Sequence, residues 1–228
     1  KKLREKDWTY ISTHHTLSSE FIREFQNELD WGAISSHQKL DEDFVREFKE
    51  QVDWTRISGN DNLSIEFIRQ FKELVNWYYI SAYQRLSENN IREFEDKVIW
   101  NSICENQKLS EDFIREFQNK VDWQNISAVQ KLSEDFIREF KNEVDWNSIS
   151  RWQKLSDEFI NEFNECVELE YYVRDQEASF STIKSFIMKT KWFNFNEINI
   201  EHLNEMQKQE INKILALKSV FKIEQQIE

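Results

Sequence analysis

Trp123 to Asp145 reads WQNISAVQKLSEDFIREFKNEVD, and this stretch decides the fold because it recurs along the chain. Tryptophan stands at Trp8, Trp31, Trp54, Trp77, Trp100, Trp123 and Trp146, each 23 residues after the last. Trp192 lies 46 residues beyond Trp146, and Leu169 holds the slot between them. Seven clear units therefore occupy residues 1–168, and residues 169–228 hold a decayed eighth unit and a divergent end. A fixed period of this length marks a repeat array, in which each unit buries its apolar face only by stacking on its neighbours.

Two helices fit each unit. The first begins at the Trp, preceded by Asp7, Asp30, Asp53, Asn76, Asp122 or Asp145, whose side chains suit an N-cap. Ile99 fills that slot once and should leave its helix poorly capped. The second helix begins after Ser18, Asp41, Ser64, Ser87, Ser110, Ser133 or Ser156. Leu109 with Ile114, Leu132 with Ile137 and Leu155 with Ile160 have the spacing of a hydrophobic staple, and acidic residues fill the first turn as the helix dipole prefers. Glu111 with Arg115 and Glu134 with Arg138 are set for i,i+4 pairing. On a helical wheel Phe136, Ile137, Phe140 and Val144 form one apolar stripe, and Trp123, Ile126 and Gln130 form another on the first helix. Helices this short are marginal in isolation, so the expected fold is an all-α solenoid of tandem two-helix repeats. From Ile200 onward, Leu203, Met206, Ile211, Ile214, Leu215, Val220 and Phe221 predict one or two longer helices that cap the array.

Composition narrows the function. Proline is absent, the only glycines are Gly32 and Gly59, and the formal charge is −13. Two glycines cannot build a P-loop or a dinucleotide turn, and neither H-E-x-x-H nor C-x-x-C occurs. His14 and His37 share an offset in adjacent units, but without a third ligand they define no metal site. No catalytic constellation emerges, and the chain reads as a non-enzyme with no cofactor. The acidic balance disfavours nucleic acid. No apolar run is long enough to span a membrane, and Cys104 and Cys166 do not make a disulfide framework, so an intracellular, cytoplasmic setting is expected. The chain begins at Lys1 rather than Met, as expected for part of a longer polypeptide.

Within the first helix, four positions change from unit to unit: one, two, five and six residues after the Trp. On the wheel they lie together, opposite the packing face. This variable face is mostly neutral, with Arg56, Glu105 and Arg151 as its full charges. Tyr78, Tyr79 and Tyr83 cluster on one unit and Arg151 with Trp152 on another, and exposed Tyr, Trp and Arg favour binding hot spots. Tyr10, His14, His37 and Arg56 complete the candidate partner-binding residues. Asn90, by contrast, replaces the first Phe of a second helix, a polar group at a core slot that should cost stability unless paired.

The strings QKLSEDFIREF and VDWxxIS resemble the short Trp/Phe repeats of many proteins of giant DNA viruses and some phages. The resemblance covers roughly Trp8 to Glu168. It implies an interaction-mediating repeat protein of an infected cell or a virion, and it brings no catalytic residues. The expected function is a scaffold for a protein or peptide partner. A self-assembling structural protein that pairs through its C-terminal helices is the alternative, and a single-stranded RNA reader a third class.

Overall fold

A computed structural model describes residues 8–60, 62–190 and 197–224, with side chains of the last helix described through 218. Asp7 and Trp192 lie outside the described residues, as do the side chains of Val220 and Phe221. The described residues are helical throughout, without strands, in the alternating pairs expected of an α-solenoid.

The helices fall into two compact units, Lys1–Leu109 and Ser110–Glu228. The first unit holds α1 (Trp8–His14), α2 (Ser19–Glu24), α3 (Trp31–His37), α4 (Glu42–Glu47), α5 (Trp54–Ser58), α6 (Ile65–Gln70), α7 (Trp77–Tyr83), α8 (Glu88–Glu93) and α9 (Trp100–Asn106). The second holds α10 (Glu111–Glu116), α11 (Trp123–Val129), α12 (Glu134–Glu139), α13 (Trp146–Trp152), α14 (Asp157–Glu162), α15 (Leu169–Asp175), α16 (Phe180–Lys189) and α17 (Glu205–Glu224). Within each unit the first helices of successive repeats pack on one another: α1 on α3, α3 on α5, α5 on α7 and α7 on α9, then α11 on α13 and α13 on α15.

The caps form as their side chains dictate. Asp30, Asp53, Asn76, Asp122 and Asp145 each accept a backbone N–H of the first helix, and Ser or Asp does so at every second helix from α2 to α14. Ile99 makes no side-chain cap, although its own N–H donates to Ser81 Oγ at 2.9 Å. The second helices are shorter than their apolar stripe. α12 ends at Glu139, and Phe140 is its C-cap, yet Val144 beyond it is buried. There the chain turns, and the Trp146 indole N–H, at 3.0 Å, takes the Lys141 carbonyl that a continuing helix would have used. The same bond recurs from Trp31 to Gln26 and from Trp54 to Lys49. The rings of Trp31, Trp54, Trp123 and Trp146 also rest on both phenylalanines of their own repeats; Trp146 lies 5.1 Å from Phe163 and 6.3 Å from Phe159.

Polar side chains join repeat to repeat. The Gln seven residues after the Trp is buried and reaches back to the preceding repeat. Gln153 Nε2 donates to the Ser127 and Gln130 carbonyls at 2.9 and 2.8 Å, and its Oε1 accepts from Leu132 N at 3.2 Å. Gln38, Gln84 and Gln107 repeat the pattern. The Ser four after the Trp donates to the Trp carbonyl and accepts the N–H of the next cap residue, as Ser127 does for Asp145. Among the described residues no buried side-chain nitrogen or oxygen lacks a partner.

The second helices are laced by arginine. Arg138 lies over the Phe159 ring of the next repeat at 5.0 Å and pairs with Glu162 of that repeat at 2.8 Å. Arg115 treats Phe136 and Glu139 alike, and Arg23 treats Phe44 and Glu47 so. The i,i+4 partners expected from sequence sit farther off, 3.8 Å for both Arg115–Glu111 and Arg138–Glu134. Those glutamates are drawn to the next repeat: Glu134 accepts from Ser156 N and Oγ at 2.5 and 3.1 Å.

The decayed eighth repeat keeps these joints. Tyr172 fills the Ile slot and donates its hydroxyl to the Leu155 carbonyl at 2.9 Å, Gln176 donates to the Arg151 carbonyl, and Ser150 accepts from Glu168 N. Asp157 accepts from Ser179, Ser181 and Thr182 at the start of α16. α17 is one helix packed on α16. Ile211 is buried, Lys184 pairs with Glu210 at 2.6 Å, and the Lys218 ammonium donates to the last carbonyls of α16, those of Ile187 and Thr190. Burial there lowers the Lys218 pKa. Met206, expected to join the apolar stripe, is exposed.

Candidate functional site

With the recurring residues consumed in joints, the changing ones are left at the surface. Large apolar side chains that are more than half exposed in the array are Tyr10, Tyr78, Tyr83, Val129 and Trp152, at 52–60%. All five stand one, two or six residues after a repeat Trp, on the variable face. Leu74 and Ile99 are the less exposed exceptions elsewhere.

In the first compact unit, Ser36, Thr55, Arg56, Gly59, Asn60 and Tyr79 line a cleft of about 210 Å³ between first helices. Every one of these residues occupies a variable position. Tyr79 is half-buried because Gly59 leaves room for it: a Cβ at Gly59 would meet Tyr79 Cδ1 at 3.1 Å. Its ring lies edge-on to Tyr78 at 5.6 Å and tilted to Tyr83 at 5.7 Å, so the three tyrosines form one cluster. Arg56 is exposed at the cleft, which no carboxylate lines. The loop after this helix turns at Asn62, whose φ of 64° lies in the left-handed region that Asn tolerates. Tyr10 stacks on His14 at 4.3 Å and accepts its Nδ1 contact at the main-chain oxygen, while His37 is exposed at the end of α3.

In the second unit, Ala128, Val129, Gln130, Lys131, Leu132, Trp152, Gln153 and Lys154 line a groove of about 290 Å³. Trp152 stands open to solvent rather than packed on the C-terminal helices. Arg151 is committed instead. Its guanidinium lies over Tyr171 at 3.8 Å, donates to Asn147 Oδ1 at 2.8 Å and sits 3.8 Å from Asp175.

Lys131 and Lys154 are functional candidates that the sequence reading passed over. They occupy the position eight after the Trp, where Lys39, Arg85 and Lys108 also stand. That recurrence is the signal. It made the residue look like scaffold, whereas the side chains are exposed and take part in no ion pair among the described residues. The second-helix arginines differ: hydrogen bonds they donate to glutamates of the next repeat raise the pKa of Arg69, Arg115 and Arg138.

Among the described residues, no group of three His, Cys, Asp or Glu is placed to hold a metal ion, and no helix is long and apolar enough to cross a membrane. Compared with known proteins, the chain matches no family model, no curated protein and no solved structure.

Proposed function

We propose that the chain is a non-enzymatic, intracellular repeat scaffold that binds a protein or peptide partner through the variable face of its first helices. The observation that carries this reading is the segregation of roles within the repeat. Recurring Trp, Ile, Ser, Gln, Phe and Arg side chains are spent on joining repeats, while the exposed aromatics gather at the positions that change. Exposed tyrosine and tryptophan supply large contact area at small loss of side-chain freedom, which suits protein recognition. Photo-crosslinking residues placed at Tyr83 and Val129 should capture a defined partner, and that capture should disappear when Tyr78 and Trp152 are replaced by Ala. The same crosslinkers at Glu66 and Asp135, on the second helices, should not capture it. Equal capture from both faces, or capture indifferent to Tyr78 and Trp152, would remove the reading.

A second reading, self-assembly through the C-terminal helices, draws on an apolar cleft of about 440 Å³ along α16 and α17. It is bordered by Met188, Ile214 and Leu217. Sedimentation over a wide concentration range tests it: a mass that rises with concentration and falls back on Met188→Glu supports assembly, and a constant monomer mass excludes it.

A further inference from the structure

The position eight after the repeat Trp recurs as a cation, at Lys39, Arg85, Lys108, Lys131 and Lys154. The chain has a formal charge of −13, yet the variable positions and this one together hold seven cations across the seven repeats: Lys39, Arg56, Arg85, Lys108, Lys131, Arg151 and Lys154. Against them stands a single carboxylate, Glu105. The arginines of the second helices behave differently. Second-helix arginines such as Arg23, Arg69 and Arg138 are held in ion pairs with the next repeat, whereas Lys39, Arg85, Lys108, Lys131 and Lys154 are exposed without one among the described residues. An acidic protein that sets exposed, unpaired cations at one recurring position, with a single carboxylate among the variable positions beside it, presents a local positive potential against a negative background.

The groove of the second unit shows how this potential combines with shape. Lys131 and Lys154 flank it, Trp152 and Val129 form its apolar wall, and no acidic residue lines it. From this arrangement we infer that the groove recognises an acidic, extended peptide segment of a partner protein, with an apolar side chain against Trp152 and carboxylates toward Lys131 and Lys154. This rests on the scaffold reading above and deepens it. Spacing favours a peptide over a nucleic acid. Adjacent packed helices lie roughly 8–10 Å apart, so the two lysines of successive repeats are separated by about that distance. An extended peptide in the polyproline II form rises about 3.1 Å per residue with three residues per turn, which places carboxylates three residues apart on one side of the peptide and in step with them. Phosphates along a duplex strand come about every 3.4 Å, about three times as densely, and would meet the net negative charge of the chain.

The test uses the full chain and a displayed library of random twelve-residue peptides. The selected peptides are expected to carry two carboxylates about three residues apart with an apolar residue between them. A synthetic peptide of that composition, followed by fluorescence anisotropy, should bind about tenfold more weakly to Lys131→Gln/Lys154→Gln, two exposed charge contacts having been removed. It should also weaken on Trp152→Ala and as salt rises. Because neither lysine is paired, the double variant should keep the circular dichroism of the parent. Selection of neutral or basic peptides, or an unchanged Kd in the double variant, overturns the acidic partner while leaving peptide binding intact. A single-stranded oligonucleotide that binds as tightly as the acidic peptide also overturns it, in favour of generic polyanion binding. If the parent chain retains no peptide above the Tyr78→Ala/Trp152→Ala control, the scaffold reading falls with it.

Discussion

Replacing Gln153 by leucine should destabilise the array more than its small change in volume implies. The Gln153 side chain is buried and makes three hydrogen bonds to backbone of the preceding repeat: to the Ser127 carbonyl at 2.9 Å, the Gln130 carbonyl at 2.8 Å and the Leu132 N–H at 3.2 Å. Leucine removes every partner at once and leaves two carbonyls and one N–H facing an apolar side chain. Each orphaned buried group costs about 1–3 kcal/mol, less where water reaches it, and leucine returns about 1 kcal/mol of apolar transfer. The expected net loss is about 3–5 kcal/mol, measured as a shift of the denaturant midpoint with m unchanged. Gln124→Leu, at an exposed position of the same repeat array, is the control and should stay within about 0.5 kcal/mol. Gln153→Glu sharpens the test. Its carboxylate would face two carbonyl oxygens, so its pKa in the folded state must rise above the unfolded value of about 4.3. Stability relative to the parent should then fall as pH rises from the unfolded to the folded pKa, by about 1.4 kcal/mol per unit of separation, and recover on acidification. A Gln153→Leu loss below about 1 kcal/mol, or a Glu variant with no such pH dependence, would show that the glutamine ladder fills space and does not join the repeats.

Other substitutions probe the places where one repeat departs from the rest. Asn90 is half-buried at the slot where other repeats bury Phe, and its Oδ1 accepts from the Ser87 N–H and hydroxyl in a capping box. Asn90→Phe restores an aromatic neighbour for Trp77, burying about 1.5–3 kcal/mol of apolar side chain against a cap contribution of about 1 kcal/mol, so thermal melts should show a gain of about 1 kcal/mol. Gly59→Ala should destabilise by pressing on Tyr79 at 3.1 Å, and the penalty should vanish in the Tyr79→Ala background; equal penalties in both would place the strain elsewhere. Burial would raise the Asp157 pKa, but the Ser181, Thr182 and Ser179 hydroxyl donors outweigh it and hold the carboxyl below its ordinary value. Asp157 therefore contributes stability above its unfolded pKa of about 3.9 that is lost as pH falls through the lower folded one. Asp157→Asn should cost about 1–2 kcal/mol at neutral pH, and the difference from the parent should shrink in acid, read from denaturant melts at both pH values.

How much of this was legible beforehand depended on whether a property is local. The Trp period, the Asp and Ser caps and the apolar stripes are set by neighbours within a few residues, because caps and helical faces are short-range physics. They determined the helix pairs and their starts, and the variable face of the first helices followed from the same wheel. What joins one repeat to the next is set across about 18 to 26 residues, where no sequence rule pairs side chains. Only the tertiary structure showed that Gln153 serves the preceding repeat's backbone, that Glu134 serves Ser156, and that Arg138 prefers Glu162 to the glutamate on its own helix. The site divides in the same way. The exposure of Tyr78, Tyr83 and Trp152 was readable from their helical phase, whereas the diversion of Arg151 onto Tyr171 was not. Lys131 and Lys154 could not be told from scaffold by recurrence alone, since a residue recurs equally well for packing or for display. Which of the two it does is decided by whether the neighbouring repeat supplies a counter-charge, and here it supplies an open groove beside Trp152.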